Sequence, residues 1–381
     1  MKKFLILISI AATGARAQKP IWFIDTHNDV LSKQISNGDD LGVLQSNVQL
    51  DLPKAAEGHL EAQVFSIWCG EEYGPGKAFA RANQEIDSLY ALIKRYPTKI
   101  FLARDAKDIE HRGRRMAALI GVEGGHMIEE RMDYLDSLAS RGMIYMTLTW
   151  NNSTSWATSA RDETLKKDSL PHLGLTDKGR AIVRHMNDLG VIVDVSHVGD
   201  RTIEDVLATS TKPVIASHSS VYALDPFRRN LKDAQLKAIA EKGGVVFVNF
   251  YSGFLDSTYA PKQLAFLAAH KAEVDSLTRL LNDHDEAVIR LYSLYPKDAD
   301  ALRPPFEMLI HHIDYIAKLI GVDHVGIGSD FDGAESYPLG MNDVRDYPKI
   351  AEALAKLGYS QADIQKIAAG NFLRVLRANR P

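Results

Sequence analysis

Cysteine is almost absent from this chain, since Cys69 is the only one among its 381 residues. A single thiol excludes an intramolecular disulfide, even in an oxidising compartment. Positive charge is also scarce: 45 Lys and Arg residues are outnumbered by 49 Asp and Glu residues, which gives a formal net charge of −4. Because the chain also lacks a basic run, its composition argues against nucleic acid as a partner.

The sequence also lacks an apolar segment long enough to hold the protein permanently in a membrane. The short apolar stretch from Phe4 to Ala12 follows two lysines and precedes Ala15-Arg16-Ala17, an order typical of a cleavable export signal. The C-terminal tail is too short and too charged for the signal of a GPI anchor. We therefore predict a signal peptide at residues 1–17, an exported protein that is periplasmic or secreted, and no stable membrane anchor. A buried N-terminal strand is the alternative.

Short runs rich in Val, Ile, Phe and Tyr recur along the rest of the chain. Most of them are nearly continuous apolar runs, which are typical of parallel strands buried on both faces. There are eight: Ile21–Thr26, Ala62–Trp68, Ala118–Glu123, Met143–Thr149, Val191–Ser196, Val214–Ser217, Gly244–Phe250 and Val325–Ser329.

Helix-like segments separate these runs, among them Ala78–Tyr96, Leu175–Leu189 and Ser360–Ala378. Strands that alternate with helices eight times predict an α/β fold of the (β/α)₈ TIM-barrel type, as a single domain over residues 18–381. A doubly wound sheet is the alternative. It normally has a glycine-rich phosphate-binding turn after its first strand, and the Asp-Thr-His-Asn-Asp stretch at residues 25–29 is not one.

The longest irregular segment, from Leu255 to Pro305, lies between the seventh and eighth predicted strands. It contains two charged, helix-like stretches, Gln263–Asn282 and Asp285–Leu294. We expect a solvated helical insertion here. A lid and an oligomer contact are the alternatives, because barrel active sites lie beneath the loops that follow the strands.

Five of the predicted strands end in residue types that bind metals. The candidates are His27 and Asp29, Glu123, His197, His218 and Asp330. Taken singly, each has an ordinary explanation, such as a turn, a salt-bridged glutamate or a hydrogen-bonded histidine. Together they predict one metal centre, because the carboxyl ends of parallel barrel strands open on the same mouth.

This set is larger than one catalytic zinc requires, for which three protein ligands and a water suffice. The surplus indicates two ions bridged by a carboxylate, as in two-metal hydrolases. Glu123 is the best candidate for the bridge, because its strand lies between those of the other ligands. We expect Asp332 to be structural, whereas His126 is left open as a packing residue or a support for the ligands.

At these residues the chain resembles the membrane dipeptidase family, also called renal dipeptidases or dehydropeptidases. The resemblance runs from about Phe23 to Val375 and implies an amidohydrolase-like (β/α)₈ barrel with a binuclear zinc site. The motifs that carry it, in the family's order, are Asp25-Thr26-His27-Asn28-Asp29, Gly121-Val122-Glu123-Gly124, Ser196-His197, Ser217-His218-Ser219-Ser220, Arg228-Arg229-Asn230 and the stretch from Asp323 to Gly333.

The resemblance implies two Zn²⁺ ions per chain. His27 and Asp29 would bind one ion, His197 and His218 would bind the other, and Glu123 would bridge them. A hydroxide shared by the two ions is a ready nucleophile at neutral pH.

The resemblance also assigns roles to two residues that contact the substrate. Arg229 would bind the C-terminal carboxylate of the substrate or help to polarise its carbonyl, since the guanidinium is a planar fork of donors. Asp330 would contact the substrate and would be the catalytic proton-transfer group, taking the proton of the water and returning it to the leaving amine.

One departure from the family pattern affects the substrate contacts. The family usually has Leu-Thr-His in the fourth strand, and that histidine contacts the substrate, whereas this chain has Leu148-Thr149-Trp150. Tryptophan carries one donor and no acceptor, so Trp150 could donate toward an anionic group or form an apolar wall of the substrate pocket.

We therefore predict a zinc-dependent dipeptidase that acts on small peptides, and the resemblance implies that dipeptides with a C-terminal D-residue are among its substrates. A homodimer is left open. One alternative is a non-peptide metal-dependent amidohydrolase or lactonase on the same barrel. Many such enzymes bridge their metals through a modified lysine, and no lysine ends a predicted strand here. The other alternative is a non-catalytic metal-binding protein, which would hydrolyse no dipeptide.

Overall fold

The predicted strands form one parallel sheet that curls into a barrel in the computed structural model, which describes residues 20–282 and 284–380. The sheet order is β1-β2-β4-β5-β6-β7-β8-β9, and β3 pairs with β4 outside this order. The strands are β1 (Phe23–Asp25), β2 (Leu60–Trp68), β3 (Ile100–Leu102), β4 (Met116–Glu123), β5 (Met143–Thr147), β6 (Ile192–Asp194), β7 (Ile215–Ala216), β8 (Val245–Val248) and β9 (Val325–Ile327).

The barrel closes between its last and first strands. The Thr26 N–H donates to the Ile327 carbonyl at 3.1 Å, and the Asp330 N–H donates to the His27 carbonyl at 3.2 Å. This closure confirms the predicted eight-stranded barrel. The short β3 was not predicted, and it pairs only with the first three residues of β4, from Met116 to Ala118.

Both faces of the barrel strands are buried, which explains why their sequences are almost continuously apolar. Every residue of β4 is buried. Its alternate side chains enter two apolar clusters, as the period of two in a strand requires. Ile120 and Val122 pack in a cluster with residues of the surrounding helices. Ala117 and Leu119 pack in a second cluster with residues of the other strands.

Helices follow most of the strands. Those of the described chain are α1 (Val30–Asn37), α2 (Leu52–Glu57), α3 (Ala78–Arg95), α4 (Ala106–Glu110), α5 (Met132–Ser140), α6 (Ala160–Leu165), α7 (Asp177–Leu189), α8 (Asp200–Thr209), α9 (Asp233–Glu241), α10 (Ser252–Leu255), α11 (Tyr259–Ala269), α12 (Lys271–Leu281), α13 (His284–Leu294), α14 (Pro296–Leu302), α15 (Phe306–Ile320), α16 (Tyr347–Lys356), α17 (Gln361–Gln365) and α18 (Asn371–Asn379), with short 3₁₀ turns at Glu71–Tyr73, Gly125–Ile128, Lys167–Ser169, Val322–His324 and Val344–Asp346.

Local signals set the ends of these helices. The Thr176 side chain accepts a hydrogen bond from the Gly179 N–H at the start of α7, and Gly190 ends that helix in the left-handed conformation, as N-caps and C-caps commonly do. The long C-terminal helix predicted from Ser360 to Ala378 is instead α17 and α18, joined by a π-helical turn at Lys366–Gly370.

The predicted insertion lies between β8 and β9, the seventh and eighth strands of the barrel. It consists of α11 to α14, which pack around a small apolar cluster of their own that includes Tyr259, Val288 and Tyr292. Leu264 and Leu280 remain 68% and 78% exposed. The helical character of the insertion is therefore as expected, while a lid and an oligomer contact stay predictions.

The predicted signal peptide at residues 1–17 lies outside the described residues, so it stays a prediction. Within the described residues, every helix is too short or too polar to cross a lipid bilayer.

Candidate metal centre

The five predicted metal ligands meet at the carboxyl end of the barrel strands, with Glu123 at the centre. Its Oε2 lies 3.3 Å from Nε2 of His27. Its Oε1 lies 2.8 Å from Nε2 of His197 and 3.4 Å from Nε2 of His218. The two oxygens of one carboxylate therefore face two different groups of histidines, which is the arrangement expected of a bridge.

His27 presents an unprotonated Nε2 to this centre. Its Nδ1 lies 2.9 Å from the Tyr145 hydroxyl, and that hydroxyl donates its own proton to the Thr26 carbonyl at 2.9 Å. Nδ1 must then be the donor, so the lone pair is on Nε2. Gly121 makes room for this contact, because a Cβ there would lie 2.2 Å from the Tyr145 ring.

His218 is oriented in the same way by a hydroxyl and a carboxylate. The Ser217 hydroxyl donates to Oδ2 of Asp194 at 2.6 Å and lies 2.8 Å from Nδ1 of His218. Since the hydroxyl proton is already committed to Asp194, Nδ1 donates to Ser217 and the lone pair of His218 is on Nε2. Such supports fix the tautomer and the orientation of metal-binding histidines.

Two aspartates complete the side of the centre that contains His27. Oδ2 of Asp29 lies 3.5 Å from Nε2 of His27, and Oδ1 of Asp330 lies 3.9 Å from the same atom. Gly333 leaves the space between the carboxylates open, because a Cβ there would lie 2.2 Å from Oδ2 of Asp29 and 2.6 Å from Oδ1 of Asp330. Asp332, by contrast, accepts backbone N–H groups from Gln49 and Leu50 and is structural, as expected.

The arrangement fits divalent cations. Nε2 of His27 and Oδ1 of Asp29 are buried and have no hydrogen-bond partner among the described residues. Buried polar atoms without a partner are costly, and here they lie beside other atoms that bear lone pairs. Imidazole nitrogens and carboxylate oxygens are the donor set that zinc and related ions prefer.

The protonation of the histidines agrees with that role. Burial and the positive charge of Arg229 lower the pKa of His197 to about 4. Burial also lowers the pKa of His218 well below its usual value, and His27 adds to the effect. Both rings are therefore neutral at physiological pH, which is the form that binds metal.

The two carboxylates respond differently to burial. Burial raises the pKa of Asp330 to about 8, although His27 opposes the shift. Burial also acts to raise the pKa of Glu123, but His27 and His197 hold it well below its usual value. Without a cation among them, Glu123 is ionised while Asp330 retains a proton at neutral pH.

Strained backbone is concentrated at the same residues. His197, Asp330 and Asp332 have positive φ angles of 64°, 60° and 67°, a region that costs non-glycine residues on the order of 1 kcal/mol or more. The His197 carbonyl is held by the N–H of Ala160 at 2.8 Å. Positive φ at Asp330 also means that the strand does not continue past β9, so Asp330 turns toward the mouth of the barrel.

Arg229 lies beside the histidines as a buried cation with incompletely used donors. Its Nη2 and Nη1 make long hydrogen bonds of 3.4 and 3.5 Å to the His218 carbonyl and the Ser219 hydroxyl. Its Nε has no hydrogen-bond partner among the described residues. Burial lowers its pKa to about 10, so the guanidinium stays charged and can receive an anionic group.

Comparison with known proteins identifies the family. The model of the membrane dipeptidase family, peptidase family M19, matches residues 13–380. The chain belongs to this family. It is 31% identical over 338 residues to dipeptidase aclJ of Aspergillus oryzae (strain ATCC 42149 / RIB 40), covering 86% of this chain and 69% of the relative.

Solved structures agree with this assignment. The probable dipeptidase PvdM of Pseudomonas aeruginosa is 26% identical and superposes with a TM-score of 0.78, covering 94% of this chain and 96% of PvdM. A metallopeptidase of Rhodobacter sphaeroides, solved with a phosphinate mimic of L-Ala-D-Ala, is 23% identical with a TM-score of 0.76 over 95% of this chain and all of that chain. The resemblance inferred from the sequence is confirmed, and the protein is a metal-dependent dipeptidase that hydrolyses peptide bonds.

The position at which this dipeptidase departs from the family pattern lies at the rim of the centre. The Trp150 ring lies 6.4 Å from the His197 ring and packs edge-on against the Trp68 ring at 5.1 Å. Trp68 ends β2 and Trp150 follows β5, so the two indoles flank the strand that carries Glu123. We call this pair the indole wall.

Sequence reasoning missed several residues that support the site of this dipeptidase. Tyr145, Asp194, Ser217 and Asn249 are all buried. Asn249 had the same signal as the predicted ligands, because it is a polar residue at the end of an apolar run. His126, which the sequence left open, lies with its Nε2 3.0 Å from the Cys69 carbonyl.

Proposed function

We propose that this dipeptidase uses two zinc ions, held by the five residues that meet around Glu123. His27 and Asp29 would bind one ion, His197 and His218 would bind the other, and Glu123 would bind both. The observation that carries the proposal is the division of the Glu123 carboxylate, since Oε2 faces His27 and Oε1 faces His197 and His218. When bound, two such ions would lower the pKa of a water and polarise the scissile carbonyl.

Asp330 is proposed as the proton-transfer residue. Its Oδ1 faces His27, while its Oδ2 accepts a hydrogen bond from Nδ2 of Asn249 at 2.8 Å. One oxygen is thus held by the protein and the other is directed into the centre, where it can take a proton from water and return it to the leaving amine nitrogen.

Arg229 is proposed to hold the substrate by its C-terminal carboxylate. Its side chain is only 6% exposed and its donors are poorly satisfied, so a carboxylate that enters the pocket would gain charge-assisted hydrogen bonds. Such a clamp, close to the metal ligands, suits a peptide with only one bond to cleave.

The indole wall is proposed as one side of the substrate pocket. Substrates that end in a D-residue are included in the proposal, because the Rhodobacter sphaeroides metallopeptidase was solved with a mimic of L-Ala-D-Ala. Export of the mature protein is also proposed, on the basis of the N-terminal signal pattern.

A substrate panel on metal-depleted and zinc-restored protein tests this function. The panel should contain L,L and L,D dipeptides, a tripeptide, a lactone and a cyclic amide, and the zinc content should be measured in parallel. We expect dipeptide hydrolysis that disappears on chelation and returns as zinc approaches two ions per chain. Full activity with one ion per chain would overturn the binuclear proposal. Hydrolysis of the lactone alone would overturn the substrate class.

A further inference from the structure

Asn249 directly follows β8, and its side chain is fully buried. Its Nδ2 donates to Oδ2 of Asp330 at 2.8 Å, and its Oδ1 accepts the N–H of Tyr251 at 2.6 Å. Because both ends of the amide are engaged, the side chain cannot turn over without losing both hydrogen bonds. The nitrogen therefore faces the carboxylate of Asp330.

The backbone around Asn249 is held on both sides. The Ser220 hydroxyl donates to the Asn249 carbonyl at 3.2 Å, and the Phe250 N–H donates to the Ser329 carbonyl at 3.2 Å. Asn249 is thereby fixed between the loop that carries His218 and the loop that carries Asp330. It is a rigid point of reference for the Asp330 carboxylate.

Asp330 itself lies close enough to the metal ligands to become one. Ligand atoms of His27, Asp29 and Asp330 all lie within 4.8 Å of one another. A carboxylate at this distance could turn and bind the nearby ion through both of its oxygens. A carboxylate bound in that way loses basicity, because the cation stabilises its ionised form.

We propose that Asn249 is a positioning residue that keeps Asp330 beside the metal ligands rather than among them. By occupying Oδ2, the amide leaves one oxygen of Asp330 for proton transfer and prevents the carboxylate from closing on the ion. This inference rests on the proposed role of Asp330 in dipeptide hydrolysis, and it adds a residue that does not touch the substrate.

Two variants separate the donor of Asn249 from its other contacts. Asn249→Leu has nearly the same shape and removes both hydrogen bonds. Asn249→Asp keeps the acceptor for the Tyr251 N–H and removes only the donor, so it carries the test if Asn249→Leu does not fold. Ser220→Ala is the matched control, because it removes a contact to the same residue and leaves its side chain in place.

Steady-state kinetics and the metal content should be measured on the zinc enzyme, alone and in an Asp330→Ala background. We expect Asn249→Leu to lower kcat by about 100-fold, the usual size of a general acid–base contribution, with KM and zinc content close to wild type. In the Asp330→Ala background the same substitution should cause no further loss. Ser220→Ala should behave like wild type in both backgrounds.

Visible absorption of the cobalt-substituted protein gives a readout that does not depend on activity. We expect the spectrum of Asn249→Leu to differ from wild type, because Asp330 joins the coordination of the ion, and this difference should vanish in the Asn249→Leu, Asp330→Ala double variant. An unchanged kcat, or an equal loss in the Asp330→Ala background, would overturn the inference. Failure of the wild-type protein to hydrolyse any dipeptide would instead overturn the proposed function, and the cobalt spectra would still test Asn249.

Discussion

The Nε2 atoms of His197 and His218 lie 3.0 Å apart. Nε2 of His218 carries no proton, because the opposite nitrogen of that ring donates to Ser217. Oε1 of Glu123 lies within 3.4 Å of both nitrogens. Three atoms with lone pairs at these distances are compatible with a shared cation and are otherwise poorly satisfied.

Ser217→Ala should weaken metal binding. The substitution removes the acceptor for Nδ1 of His218 and breaks its connection to Asp194, so the ring loses both its fixed tautomer and its orientation. We expect the affinity for the second ion to fall by about 10- to 100-fold, the usual cost of losing such a support. Competition with a chelator of known affinity measures it. Ser219→Ala is the control, and an equal loss there would show that the effect is not specific to the His218 support.

Gly333→Ala should disturb the other half of the centre. A Cβ at this position would lie 2.2 Å from Oδ2 of Asp29 and 2.6 Å from Oδ1 of Asp330, which is closer than such contacts allow, so both carboxylates must move. We expect at least an approximately 10-fold loss of affinity for the ion that His27 binds. Metal titration followed by calorimetry measures this affinity.

Gly370→Ala is the matched control for that experiment, because a Cβ there would meet its nearest neighbour at an ordinary 3.6 Å. Equal metal affinity in Gly333→Ala and wild type would mean that the two carboxylates do not hold the ion as proposed.

Trp150→Ala should change substrate preference without removing metal. The indole packs against Trp68 and lies near His197, while the ligands are held by other contacts. We expect kcat/KM for dipeptides with large apolar side chains to fall by about 10-fold more than kcat/KM for Ala-Ala, the usual size of a lost apolar contact. Trp22, which precedes β1 at the opposite end of the barrel, provides the control Trp22→Ala. A uniform loss over all substrates would count against the indole wall as a side of the pocket.

Stability should fall at acid pH because of His312. This buried ring in α15 accepts the Val221 N–H at 3.0 Å and has its other nitrogen 3.1 Å from the Leu255 carbonyl, so only the neutral form satisfies both contacts. Burial lowers its pKa to about 4, whereas the unfolded chain has an ordinary histidine pKa of about 6.5.

Between these two pKa values the unfolded state binds more protons than the folded state, so stability is lost as the pH falls from about 6.5 to about 4. We expect this one residue to account for about 3 kcal/mol of that loss. Urea unfolding of the metal-free protein at several pH values measures it, and His312→Gln should have a flatter profile. Parallel profiles for the two proteins would contradict this account.

Much of the fold could be predicted from the sequence because parallel strands buried on both faces leave a strong signal. All eight barrel strands were predicted, since each is a short apolar run. The strand Ile100–Leu102 was not, because three residues are too few to show a period and its pairing depends on β4. The break between α17 and α18 was missed for a similar reason, since a π-helical turn preserves the apolar face of a helix.

The candidate ligands could be predicted because each is a polar residue at the end of an apolar run. The residues that orient them could not, because their partners are far away in the chain. Tyr145 acts on His27 across 118 positions, and Asn249 acts on Asp330 across 81. Nothing local in the sequence marks such pairs.

The sequence alone determined the alternation of strands and helices, the residues at the strand ends and the family to which they belong, since these depend on local pattern and residue type. Only the tertiary structure decided which nitrogen of each histidine carries the proton, which oxygen of Glu123 faces which ring, and how Asn249 holds Asp330. These are set by distances between residues that the closed barrel brings together, and the one-dimensional order of the chain does not contain them.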